Sequence, residues 1–260
     1  MPENAPTPLV DETQAVSPAA HAAPLPPWAG WSWLLAMPLL GALVWLSLPA
    51  FSGRIWVMGD LLGFHLPFRY FYQECLHQGQ NFLWCPWVGA GVDLHGEGQN
   101  GMLHPWHLLL YASLPFHWAF QVDLLTGILV GASGTVALLR RWGASWAAAW
   151  AGVPVIALAG FGMIHLIHPN MVVVIAHLPW LCWAGDGLLR PGQESRPRYW
   201  VVLVMATASQ AYFGHPQMLV FSWLAEAIIY LAMRMDCWRT MLRPCLWVVA
   251  GKAVGLGLAL

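Results

Sequence analysis

Residues 28–50 read WAGWSWLLAMPLLGALVWLSLPA and contain no charged side chain. As one helix, this stretch rises roughly 34 Å, which is enough to cross the hydrocarbon core of a bilayer. The first apolar run of the chain therefore predicts a transmembrane helix.

The composition of the whole chain supports the same interpretation. Of its 260 residues, 58% are hydrophobic and 9% are charged, whereas soluble domains carry roughly 25% charged residues. Eleven basic and twelve acidic side chains are too few to cover the surface of a soluble monomer of this size. The net charge of −1 excludes a nucleic-acid binder with a basic face. An integral membrane protein remains, and its 18 Trp residues suit membrane interfaces.

Further apolar runs are separated by turn signals. Breaks are predicted at Pro115, at HLIHPN (165–170) and at Gly214-His215-Pro216, because unbroken helices would exceed the bilayer thickness. The resulting spans are 117–139, 145–163, 169–188, two short spans within 199–233, and a run from Cys245. The prediction is an all-α, polytopic membrane helix bundle of about seven transmembrane helices.

The arginines predict how this bundle is oriented. The short loops 140–144, 189–198 and 234–244 contain eight Arg, whereas the segments between them on the other side contain only Arg54 and Arg69. By the positive-inside rule, the N-terminus is cytoplasmic and the loop 51–104 is extracytoplasmic, with an interfacial helix near 61–76. Residues 1–27, rich in Pro and Ala, are predicted to be a disordered cytoplasmic tail.

The transmembrane domain is predicted to cover 28–260. Because the last apolar run is still continuing at Leu260, the chain is expected to be the N-terminal part of a longer protein.

Asp60 is the first candidate for chemistry, since it follows the first span closely. A carboxylate at the outer membrane surface can act as a general base toward a hydroxyl, or bind a divalent cation that holds a phosphate. The alternative is that Asp60 caps the helix that follows.

Arg69 and the loop 96–101 are further candidates. Arg69 can pair with a phosphate, or it can snorkel or pair with Glu74. The sequence GEGQNG offers the polar side chains and permissive backbone of a sugar or phosphate contact, and the alternative is a plain flexible loop.

The histidines of the predicted outer side include His65, His95, His104, His107, His165, His168 and His215. They show no metal-ligand spacing, which favours interfacial hydrogen bonding over a metal site.

Ionisable groups also occur within the apolar runs. Asp123, His177 and Glu226 are expected to face the bundle interior, with Glu226 pairing across helices, because a charge in lipid is costly. Lys252 is expected to snorkel toward the cytoplasmic side.

Cys75 and Cys85 share the outer loop, where they can form a disulfide or stay unpaired.

Several motifs resemble the YfhO-like bacterial membrane proteins, which are grouped with the GT-C-fold glycosyltransferases. These are Asp60 after the first span, WCP at 84–86, GAG at 89–91, QNG at 99–101 with HP at 104–105, and GHPQ at 214–217. The resemblance covers roughly residues 30–260. It implies an envelope enzyme of the bacterial cytoplasmic membrane that passes a sugar from a polyprenyl-phosphate carrier to an acceptor on the outer side.

In that family a carboxylate of the first outer loop serves as the base, which maps onto Asp60. Many relatives carry an acidic pair there, whereas Leu61 follows Asp60 here; this puts a two-carboxylate mechanism in doubt and leaves the requirement for a divalent cation open. The predicted substrate-binding residues are His65, Arg69, Glu97, Gln99, Asn100, His104, His215 and Gln217. The alternatives are a lipid or polymer transporter, with Asp123 and Glu226 along its path, and an envelope-assembly factor.

Overall fold

A computed structural model describes Leu34 and residues 37–157, 160–190, 196–234 and 242–260, and within these ranges the chain is all-α. A π-helical turn, Leu61–His65, precedes α2, and a 3-10 turn, His165–Ile167, follows α6. Strands β1 (Trp84–Cys85) and β2 (Val92–Asp93) form a short antiparallel ladder. The helices are α1 (Met37–Phe51), α2 (Leu66–Gln78), α3 (Pro105–Ser113), α4 (Phe116–Arg141), α5 (Trp146–Ala157), α6 (Gly160–Ile164), α7 (Pro169–Ala176), α8 (Leu178–Leu189), α9 (Arg196–Tyr212), α10 (Pro216–Arg234) and α11 (Leu242–Ala259).

The predicted breaks are confirmed. Pro115 is the N-cap of α4, Pro169 begins α7 and Pro216 begins α10. Proline suits the start of a helix because its fixed φ fits and its missing N–H is not needed there. Residues 1–27, predicted as a tail, lie outside the described residues.

Two helical segments are long and apolar enough to cross a membrane within the described ranges, namely α4 and the continuous pair α7–α8. A third is reached if α5 and the segment Gly160–Ile167, bent by 40°, count as one span. Helices α1, α10 and α11 are apolar but shorter. Large apolar side chains cover their outward faces, for example Leu48, Leu224 and Val249, which are more than half exposed. Such a surface suits lipid rather than water.

Several helices pack closely at glycines, and the residues that lie against these glycines show the relative directions of the helices. Gly127 of α4 lies against Val172 and Gly134 lies against Trp180, so α4 runs parallel to α7–α8. Small residues let membrane helices approach closely. Helix α9 runs antiparallel to α8, because its residue Tyr199 covers Gly187 near the end of α8.

The bundle therefore has two distinct ends. Helices α4 and α7 begin at the end that carries residues 52–115, which we call the loop end. The opposite end carries Arg141, Arg190 and Arg198, and we call it the arginine end.

The ionisable groups of the apolar runs face inward. Glu226 is 1% exposed and lies 2.5 Å from the Nζ atom of Lys252, so the predicted pairing across helices is confirmed. His177 is also buried, as predicted. The expectation that Lys252 snorkels is wrong, because its ammonium group points to this buried carboxylate on the neighbouring helix.

Candidate functional site

Asp60 forms a solvent-accessible polar contact at the loop end. Its Oδ2 atom lies 2.7 Å from Nε2 of His168, which joins the 3-10 turn to α7. The Asp60 side chain is 61% exposed, and its Oδ1 atom makes no hydrogen bond within the described part of the chain. The preceding Gly59 adopts a left-handed conformation against Ile167, which brings the two segments together. The result is an exposed carboxylate held by a histidine, an arrangement able to accept a proton.

The alternative role of Asp60 as a helix cap is wrong. Asp60 occupies the N-cap position of the π-helical turn, but its side chain makes no capping hydrogen bond there. The carboxylate instead turns away to His168, a partner 108 positions further along the chain.

Further histidines lie beside this pair. The ring of His165 lies 5.8 Å from that of His168 and stacks on Phe161 at 4.3 Å. His65 is 2% exposed. Burial, together with the nearby Arg69 cation, lowers its pKa to about 3. His65 is therefore neutral at physiological pH and buried beneath the surface, where no hydroxyl substrate reaches it directly.

An apolar cavity of about 220 Å³ adjoins Phe161, between α4, α5, α6 and α7. Apart from main-chain atoms, its wall consists of hydrocarbon and glycine. The residues that line it include Gly127, Gly131, Ile156, Phe161, Val172 and Ile175. Through Phe161 and His165, this cavity is linked by ring contacts to the Asp60–His168 pair.

Arg69 was expected at the membrane interface, but its side chain is buried inside the protein. Its side chain is 3% exposed, with Nε 3.1 Å from Oδ2 of Asp123, and its Nη1 donates to the main-chain oxygen of Asn100 at 2.5 Å. The expected snorkelling or pairing with Glu74 is wrong, because Asp123 supplies a buried carboxylate on α4. Arg69 thus fastens the loop to the bundle.

Asp123 is the centre of this buried network. Besides Arg69, it receives the hydroxyl of Tyr111 at 2.8 Å and contacts Nε2 of His107 at 2.9 Å. His107 reaches back to the main-chain oxygen of Gly101 at 2.7 Å. The prediction that Asp123 faces the interior is confirmed, and the network joins α2, α3 and α4.

Glu97, Gln99 and Asn100 bind mainly to one another. Glu97 Oε2 accepts the main-chain N–H of Gln99 at 3.0 Å and the side-chain amide of Asn100 at 2.7 Å, while Oε1 accepts the side-chain amide of Gln99 at 2.7 Å. Asn100 is fully buried, and burial raises the pKa of the Glu97 carboxyl. The loop is an internally bonded turn rather than a flexible segment.

The remaining predicted contacts connect the loop to α9 and α10. His104 accepts the N–H of Trp106 at Nδ1, and its Nε2 lies 2.9 Å from Oγ of Ser209. His215, in a left-handed conformation (φ 63°), donates its N–H to the oxygen of Gly98 at 2.9 Å. Gln217 is exposed on the first turn of α10.

The predicted site residues therefore differ in exposure, and Glu97, Gln99 and His215 are half-buried. Asp60 is exposed and paired, and Gln217 is exposed, whereas His65, Arg69, Asn100 and His104 are buried and belong to the contacts that hold the loop in place. The pairing of Asp60 with His168 was not predicted, although the HLIHPN turn marked the start of a helix at the same end of the bundle.

Two further expectations concern metals and cysteines. Within the described ranges, no three His, Cys, Asp or Glu side chains form a group that could hold a metal ion. Cys75 and Cys85 are both free and buried, so they do not form a disulfide.

Comparison with protein families, with curated proteins and with solved structures finds no match in any of the three. The function is therefore inferred from the residues and their contacts.

Proposed function

We propose that this chain is a glycosyltransferase of the bacterial cytoplasmic membrane that moves a sugar from a polyprenyl-phosphate carrier to an envelope acceptor. The observation that supports the proposal most directly is the exposed carboxylate of Asp60, held 2.7 Å from His168 at the loop end. The sequence motifs around it resemble the YfhO-like proteins of the GT-C superfamily.

In this mechanism, Asp60 Oδ1 accepts the proton of the acceptor hydroxyl. The hydroxyl oxygen forms a bond to the anomeric carbon of the donor sugar, and the bond between that carbon and the phosphate oxygen breaks. Polyprenyl phosphate leaves with the bonding electrons. The hydrogen bond from His168 to Oδ2 orients the carboxylate so that Oδ1 faces the incoming hydroxyl.

The donor lipid needs an apolar place beside this carboxylate. The cavity next to Phe161 supplies hydrocarbon lining, and the stacked rings of Phe161 and His165 lead from it to His168. Because Arg69 is buried against Asp123, the exposed Arg54 between α1 and Asp60 is the better partner for the donor phosphate. A divalent cation is a further candidate for this role.

The proposed orientation follows the arginines. In this arrangement α1, α4, α5–α6, α7–α8, α9, α10 and α11 are the seven spans, and the arginine end is cytoplasmic. The loop end, with Asp60, then faces the outer side of the membrane, where lipid-linked sugars are used.

The transporter alternative is less well supported. It requires the ionisable groups within the helices to line a path. Asp123 is instead enclosed by Arg69 and Tyr111, and Glu226 by Lys252 and Tyr230. Both carboxylates contact neighbouring side chains and belong to packed contacts.

The test uses the full chain reconstituted in vesicles with polyprenyl-phosphate hexoses and a membrane extract as the source of acceptors. Loss of the base is expected to lower the release of polyprenyl phosphate by about 10²- to 10⁴-fold in Asp60→Asn. Glu74→Gln is the matched control, because it neutralises a carboxylate of the same loop outside the Asp60–His168 pair. Transfer by Asp60→Asn at the wild-type rate would overturn the assignment of the base.

A further inference from the structure

Three guanidinium groups converge at the arginine end. The Nε atoms of Arg141 and Arg190 lie 2.5 and 3.0 Å from Oδ2 of Asp186. Arg141 and Arg198 also donate to the same hydroxyl oxygen of Tyr199, at 2.5 and 2.6 Å. Residues of α4, α8 and α9, together with Arg190 at the C-cap of α8, thus form one compact basic cluster.

Most of the charged side chains that the structure describes in this cluster are cations. Arg141, Arg190 and Arg198 contribute three positive charges, and Asp186 contributes one negative charge. Two guanidinium groups that share one phenol oxygen repel each other, and an anion placed between them relieves that repulsion.

A buried donor points to the same conclusion. The Arg141 side chain is only 10% exposed, yet its Nη2 atom has no hydrogen-bond partner within the described ranges. A buried guanidinium N–H without an acceptor is costly. A phosphate oxygen at this position would satisfy it, because guanidinium groups bind phosphates in a fork geometry.

The location of the cluster identifies the kind of anion. Arg141 ends α4 and Arg190 follows the continuous pair α7–α8, and both segments are long and apolar enough to span a membrane. Trp142 and Trp146, both exposed, lie at the same end of α4 and α5, as expected for side chains at the level of lipid headgroups.

We propose that Arg141, Arg190 and Arg198 bind the phosphate headgroup of an anionic phospholipid. The site lies at the arginine end of the bundle, opposite the loop end that carries the Asp60 carboxylate, so it does not depend on the proposed transferase activity. Its role is to hold the ends of α4, α8 and α9 to the membrane surface that carries anionic lipid.

The test measures the affinity of the purified full chain, in neutral detergent, for phosphatidylglycerol and for phosphatidylcholine with the same acyl chains. Wild type is expected to prefer phosphatidylglycerol. The variant Arg190→Gln/Arg198→Gln, which leaves the buried Arg141–Asp186 pair intact, is expected to lose about 30-fold of that preference.

Arg140→Gln is the matched control, because Arg140 carries the same charge at the same end but stacks on Trp146 outside the cluster. Its preference is expected to stay within about twofold of wild type if the cluster is a defined site. Equal binding of the two lipids by wild type overturns the proposal. An equal loss in Arg140→Gln and in the double variant also overturns it, since a general positive field would then explain the effect. Unfolding midpoints of all variants, measured without added lipid, identify any loss caused by misfolding.

Discussion

The guanidinium of Arg69 lies 3.1 Å from the carboxylate of Asp123, and this contact holds the loop helix α2 against α4, which is long and apolar enough to span a membrane. Both side chains are buried, so removal of one leaves the charge of the other uncompensated. We expect Arg69→Met to lower the free energy of unfolding by about 3–5 kcal/mol, measured by denaturation of the full chain in detergent.

Two further variants separate the ion pair from the loss of an arginine as such. Arg54→Met removes an exposed arginine of the same loop and is expected to change stability by less than about 0.5 kcal/mol. Arg69→Met/Asp123→Asn removes the stranded charge and is expected to regain part of the loss. If Arg69→Met has the same free energy of unfolding as wild type, the contact between Arg69 and Asp123 does not stabilise the fold.

The buried His104 predicts that stability depends on pH. Burial, followed by the neighbouring His107, lowers the pKa of His104 to about 3, whereas in the unfolded chain it is near 6.5. The unfolded state therefore binds the proton first as the pH falls. Stability is fully present above about pH 6.5 and declines toward pH 3, by up to about 1.4 kcal/mol per pH unit.

The measurement compares unfolding free energies between pH 7.5 and pH 5 in wild type and in His104→Gln. We expect the slope to be smaller in His104→Gln, because this titrating group is gone. His95→Gln removes an exposed histidine of the same loop and should keep the wild-type slope. A wild-type slope in His104→Gln would contradict the assigned cause.

Gly185 is a glycine whose lack of a side chain is required by packing. A Cβ atom at this position would overlap the phenol ring of Tyr230, whose hydroxyl bonds the oxygen of Leu181 and the carboxylate of Glu226. We expect Gly185→Ala to destabilise the fold by about 1–3 kcal/mol. Gly257→Ala, which meets no atom within 4 Å, should leave the unfolding midpoint unchanged or slightly raised.

The helix breaks could be predicted because they depend on local chemistry. Pro115, Pro169 and Pro216 fix their own φ and remove an N–H, so the end of one helix and the start of the next can be read from a few adjacent residues. Lengths then follow from the thickness of a bilayer, which limits how far an apolar run can continue before it must turn.

The partners of polar side chains could not be predicted in the same way. Asp60 has a favourable local role as a helix cap, and only the packing of α7 beside the loop brings His168 to it. Lys252 has a favourable route to the interface by snorkelling, but α10 presents Glu226 at the same level. The partner of such a side chain depends on helices that are distant in sequence. The rotation and depth of those helices cannot be derived from any single segment.

The proposed orientation can be tested with introduced cysteines, because the native thiols of the loop are unsuitable. Cys75 and Cys85 are buried, so a polar reagent would not reach them in the folded protein on either side. Gln80→Cys at the loop end and Ser145→Cys at the arginine end are exposed positions, introduced with Cys237 and Cys245 replaced by Ser.

In whole bacterial cells, a membrane-impermeant maleimide is expected to label Gln80→Cys and to leave Ser145→Cys unlabelled, because the arginines retain their end in the cytoplasm. After permeabilisation, both positions should react, which shows that each thiol is accessible in the folded protein. The reverse pattern in intact cells would place Asp60 in the cytoplasm. A base on that side could not act on an acceptor outside the membrane, so this result would reject the proposed reaction together with the orientation.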